Sequence, residues 1–221
     1  SIVWHHTAGT SAQGAIDWWN QTPEKVGTAY VIDRDGTIYE CFDPKLWAYH
    51  LGIKNHNGTP FEQSSIGIEL VAAGQLVKEP NGHYFYPLAP SKTAGKLIPA
   101  DQVWEMPVAW KGNKFYHSYT DAQITALIEL TKDLMQKFNI KVQPTFNNFY
   151  QFNDEVVVKN LPGIWSHTTV RADGKTDIVP HPSFLKKISE AFGVQVNGLK
   201  EAAAPVVKAE EVKQEEAKEE A

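Results

Sequence analysis

Histidines stand where two short apolar runs give way to small or polar residues, in Trp4-His5-His6-Thr7-Ala8-Gly9 and in Trp165-Ser166-His167-Thr168. The end of a buried strand holds the backbone still while the imidazole is aimed into a cleft, and imidazole is the commonest metal ligand. Taken singly, each is more simply a hydrogen-bonded structural histidine. The run Arg171-Ala172-Asp173-Gly174-Lys175-Thr176-Asp177 changes that balance. If the residues after Gly174 are extended, Lys175 and Asp177, at i and i+2, turn an ammonium and a carboxylate toward one site. A fourth clue is Glu69 in Ile66-Gly67-Ile68-Glu69-Leu70-Val71. Alternation sets the three apolar residues on one face and Glu69 on the other, where burial would raise its pKa toward the range of a general base. An edge strand with a solvated Glu69 is the competing reading.

Nucleophilic catalysis has little support. The chain carries no HExxH, P-loop or GxSxG motif, and its single cysteine, Cys41, in an apolar strand, reads as a core residue. One cysteine also excludes an intramolecular disulfide and any site built from several thiolates.

The elements that must position these groups read as α/β. Strand signals fall at 2–4, 29–32, 37–41 and 66–71, with a hairpin turn at Asp35-Gly36. Helix signals fall at 11–20, 121–138 and 182–192. In the middle one Thr120 and Gln123 form a capping box ahead of Ile124, Leu127, Ile128, Leu134, Met135 and Phe138 at helical spacing. Residues 80–107 carry five Pro and two Gly without a clear period. They read as a surface elaboration in which Tyr84, Phe85, Tyr86, Trp104 and the neighbouring Trp110 either line a groove or pin the loop as a satellite cluster.

At 221 residues, 42% hydrophobic and with seven Trp, the chain can bury one domain's core. Of its net charge of −5, the seven Glu and three Lys after residue 200 account for −4, so the body is nearly neutral and has no electrostatic case for a nucleic-acid partner. No apolar run reaches the roughly 18–20 residues of a membrane-spanning helix, in keeping with a mean hydropathy of −0.37. Residues 1–193 are expected to form the catalytic domain and 194–221 a low-complexity, disordered Glu/Lys/Ala-rich linker or tail. The start at Ser1-Ile2-Val3-Trp4, inside an apolar strand, suggests that something upstream was removed, which leaves localisation open.

In their order, the segments 2–9, 29–38, Ala48-Tyr49-His50, Ser65-Ile66-Gly67-Ile68-Glu69-Leu70, 119–123 and Ser166-His167 through Lys175-Thr176-Asp177 resemble the zinc-dependent N-acetylmuramoyl-L-alanine amidases of the type 2 amidase family. That resemblance, over about residues 1–193, implies a central mixed β-sheet flanked by α-helices, the fold shared with peptidoglycan recognition proteins and phage lysozyme-like amidases. It implies Zn2+ as cofactor, with His5, His167 and Asp177 as ligands and His6 in a non-ligating position. Glu69 would exchange protons with water and the leaving amine, and Lys175 would stand beside the oxyanion. His50, Trp104 and Trp110 are expected along the substrate groove. Two departures stand out: Thr28 occupies the position nearest to a tyrosine that assists the water in some relatives, and Ile178-Val179-Pro180 replaces the usual Pro-Gly-Pro.

The implied substrate is peptidoglycan or a muropeptide, cut between N-acetylmuramic acid and L-alanine. A secreted, wall-associated or phage-released protein would do this, and the acidic tail suggests a wall-binding or anchoring segment beyond it. The rival readings are a non-catalytic peptidoglycan-binding module of the same fold and a zinc peptidase acting within the stem peptide.

Overall fold

The computed structural model describes residues 1–53, 59–86, 97–143 and 149–195. The chain runs β1 (Ile2–His6), α1 (Ala12–Gln21), β2 (Tyr30–Ile32), β3 (Ile38–Glu40), α2 (Thr59–Gln63), β4 (Ile66–Leu70), β5 (Gln75–Lys78), β6 (Tyr84–Phe85), β7 (Leu97–Ile98), β8 (Val103–Trp110), β9 (Asn113–His117), α3 (Asp121–Phe138), α4 (Asp154–Val158), β10 (Ile164–Ser166), α5 (His167–Val170) and α6 (Pro182–Phe192). Among the described residues the central sheet has the order β10-β1-β4-β2-β3. β10, β1, β4 and β2 are parallel to their neighbours and β3 returns antiparallel to β2, so the sheet is mixed as expected.

Alternation along β1 and β4 decides the two faces. Ile2 and Trp4 with Ile66, Ile68 and Leu70 join Leu127 and Leu134 of α3 and Phe184 and Ile188 of α6 in the main core. The Trp4 indole N–H donates to Thr131 Oγ1 of α3 at 3.2 Å, which satisfies the one polar atom that this large side chain buries. α3 starts on the anticipated capping box and ends at Asn139 in a left-handed conformation. On the opposite face Val3 packs with Leu51, Phe61, Val156 and Val170, and Val31 packs with Ala12 and Val71. His5 and Glu69 share that second face, which is only partly covered.

A second, antiparallel sheet, β7-β6-β5-β9-β8, corrects the reading of residues 80–107 as an unstructured elaboration. Two of its strands are two residues long and β8 is irregular between Glu105 and Trp110, so no stretch shows enough alternation to register as a strand. Residues 87–96 of that segment lie outside the described residues, as does 196–221 of the expected tail. Val194 is buried in the main core, so packing continues one residue past the boundary drawn from composition.

Candidate metal centre and active-site cleft

Ligands of parallel sheets collect beyond the carboxyl ends of the strands, and the candidate residues of this sheet lie at that edge. His5 pairs in register with Glu69 on the adjacent strand. On the other side Trp4 pairs with Ser166, so His167 comes one residue beyond the end of β10, level with His5. Ser166 caps α5 by accepting from the Thr169 amide, so the chain turns from strand to helix at His167 and fixes that ring's origin. Asp177 is brought alongside by its main-chain carbonyl, which accepts from the amide and hydroxyl of Thr168, each at 2.9 Å.

Three atoms converge at this point. His5 Nδ1 lies 2.9 Å from His167 Nδ1, and Asp177 Oδ2 lies 3.3 Å and 2.8 Å from them respectively. All three residues are buried. Their proton placement follows from the outer partners. His167 Nε2 faces the Leu51 carbonyl at 2.8 Å, and a carbonyl only accepts, so Nε2 carries the hydrogen. The Ser65 hydroxyl donates to the Glu62 carbonyl at 3.3 Å and accepts from His50 Nε2 at 3.0 Å. His50 Nδ1 is then an acceptor, which makes His5 Nε2, 3.0 Å away, the donor.

Both rings, when neutral, thus turn a lone pair toward the carboxylate oxygen. Three lone pairs this close repel unless a positive charge sits among them, either a proton or a metal ion. Two imidazole nitrogens and one carboxylate oxygen suit Zn2+, and a tetrahedral ion about 2.0–2.1 Å from each donor needs them about 3.3 Å apart. The triangle matches within about half an ångström. These residues therefore fit the ion, and they form the one such cluster among the described residues.

Electrostatics sorts the groups further. Burial, and then the charge of His167, lowers the His5 pKa to about 4, so His5 stays neutral over most of the pH range. Burial would raise the Asp177 carboxyl, but the charge and hydrogen bond of His167 and the hydrogen bond of His5 outweigh it and hold the group well below its usual range. Glu69 is the reverse case: burial, reinforced by the charge of Asp177 and opposed by Lys175, drives its pKa well above the ordinary value. Its Oε2 is shielded and, among the described residues, has no hydrogen-bond partner.

Glu69, Lys175, His50 and the three converging residues all line one open cleft of ≈ 830 Å³, whose wall also holds Trp18 and Tyr86. Lys175 and Asp177 reach it together from the irregular segment that follows Gly174, which adopts a left-handed conformation (φ +50°). Trp104 and Trp110 do not line this cleft. Trp110 is 7% exposed and packs in the main core, and Trp104 stacks on His181 at 4.4 Å and meets Tyr119 edge-on. Trp110 is thus buried and Trp104 partly buried, both away from the cleft that the other candidate residues line. His50 does more than form a wall, since its ring holds His5.

His6 points to the other face and bonds the Tyr119 hydroxyl at 3.0 Å. Thr28 is buried, and its hydroxyl donates to the Tyr30 carbonyl at 3.0 Å. Sequence reasoning missed the Leu51 carbonyl, Ser65 and Glu62. A main-chain acceptor has no residue-type signal, and Glu62 in Pro60-Phe61-Glu62 reads as a surface acid. Trp18, 57% exposed on α1, was visible only as part of a helical pattern.

The family model described as N-acetylmuramoyl-L-alanine amidase matches residues 1–182. No curated protein sequence matches the chain. Among solved structures, the E. coli N-acetylmuramyl-L-alanine amidase AmiD, in complex with the substrate anhydro-N-acetylmuramic acid-L-Ala-D-gamma-Glu-L-Lys, is similar with a TM-score of 0.53 at 19% identity, over 87% of this chain and 56% of that one. AmpDh3 from Pseudomonas aeruginosa gives 0.48 at 17% identity, over 87% and 59%. The chain thus spans somewhat over half the length of either solved protein. With four fifths of its length matched by one family model, the chain belongs to the N-acetylmuramoyl-L-alanine amidase family.

Proposed function

We propose that the protein is a zinc-dependent amidase that hydrolyses the amide between N-acetylmuramic acid and L-alanine in peptidoglycan or its muropeptide fragments. The observation that carries this reading is the convergence of His5 Nδ1, His167 Nδ1 and Asp177 Oδ2 in a cleft shared with Glu69, whose Oε2 has no hydrogen-bond partner among the described residues. His5, His167 and Asp177 would hold the ion. When bound, zinc supplies a Lewis acid that lowers the pKa of water from 15.7 to about 7 and polarises a carbonyl.

The chain's own groups supply the rest. Glu69 accepts the attacking water's proton and returns it to the departing L-alanine amine, the task for which a raised carboxyl pKa is suited. Lys175 presents its ammonium to the oxyanion formed on the lactyl carbonyl. The cleft is open, as a branched glycopeptide requires, and Trp18 and Tyr86 offer flat faces to sugar or peptide. The complete donor set favours an enzyme over a binding module.

Mass analysis of the products tests this reading. Incubation with a muropeptide should release an intact stem peptide with a free L-alanine amine, together with the unmodified sugar. Fragments cut inside the stem would establish a peptidase instead, and an unchanged substrate that nevertheless binds would establish a binding module.

A further inference from the structure

Both histidines of the centre rest, through their outer nitrogens, on two consecutive residues. His5 Nε2 donates to the His50 ring at 3.0 Å, and His167 Nε2 donates to the Leu51 carbonyl at 2.8 Å. The dipeptide is in turn held by one atom. Oε1 of Glu62 accepts the amide of His50 at 2.8 Å and that of Leu51 at 2.9 Å. The main-chain carbonyl of Glu62 accepts from Ser65, whose hydroxyl receives His50 Nε2. Glu62 is 1% exposed on α2, and it does not line the cleft. Gly67 leaves room for this arrangement: a Cβ there would come within 3.0 Å of His50 Nδ1 and 2.6 Å of Thr28 Cγ2.

We infer that Glu62 is a positioning residue of the metal centre, which locks the tautomer and direction of His5 and His167 together by clamping the 50–51 main chain. Buried carboxylates are costly, and this one spends its charge on two amides whose residues orient both rings. The inference rests on the zinc reading above, and it extends that reading to a residue without access to ion or substrate.

The test is the zinc dissociation constant of full-length protein, measured by chelator competition, with the visible absorption of the cobalt-substituted form as a report on ligand geometry. Glu62→Ala should weaken zinc about 10- to 100-fold and alter the cobalt spectrum while far-UV circular dichroism stays unchanged. Glu62→Gln keeps a carbonyl oxygen for both amides and should stay within about threefold of the native affinity, with the native spectrum. An alanine variant that binds zinc as tightly as the native protein, or a folded glutamine variant as weak as alanine, overturns the inference. Should the alanine variant not fold, the glutamine variant decides alone: retained affinity supports the clamp and a tenfold loss rejects it. A native protein that takes up no zinc would instead sink the functional reading itself.

Discussion

Glu69 is the residue at which fold and function pull apart most plainly. Its pKa is raised on folding, so the folded chain prefers the protonated form. The associated stability is fully present below the unfolded pKa and is lost as pH rises through the folded one. Glu69→Gln should therefore make metal-free protein more stable at pH 7 to 8, by about 1 kcal/mol, with no gain near pH 4, as thermal unfolding at the two pH values would show. The same variant should retain zinc and lose turnover by about 10²- to 10⁴-fold; undiminished turnover would remove Glu69 from the proton transfer. With His5 lowered to about 4 and the Asp177 carboxyl held well below its usual range, protons compete for these two proposed ligands only in acid, so zinc affinity should fall steeply toward pH 4. His167, Asp177, Lys175 and Glu69 stood out in the sequence as chemistry-bearing residue types beside apolar runs, whereas the choice of His5 over His6 came from the family resemblance. Glu62 could not, because what it binds is main chain and its burial depends on a loop that only the fold closes.

Element boundaries were legible wherever local chemistry is strong. The capping box at Thr120 and Gln123 starts α3 at Asp121, and the parallel strands end within two residues of their apolar runs. The second sheet was hidden because its short strands gain their pairing from neighbours rather than from their own pattern. At this scale the tight spot is Gly67 in β4. Gly67→Ala leaves strand propensity intact but drives a methyl into Thr28 and the His50 ring, and it is expected to weaken zinc binding about tenfold with little change in far-UV circular dichroism. Native zinc affinity in that variant would mean that the 50–51 segment has slack the packing does not suggest.

For the whole molecule, the sheet's parallel centre explains why residues as distant as 5, 69, 167 and 177 meet: three strands end at one level, and the connections after them supply the remaining groups. Among the described residues, Val194 is the last to join the main core. We expect a chain ending after residue 195 to keep the cleft and its chemistry, with zinc affinity and turnover of soluble muropeptides within about twofold of the longer chain. A large loss would assign the acidic stretch a part in the catalytic body. Zinc content decides the central claim most directly. After purification and dialysis against trace zinc, elemental analysis should find about one ion per native chain and almost none in His5→Ala, His167→Ala or Asp177→Ala, each still folded. Zinc retained in all three variants, or absent from the native chain, would contradict the account.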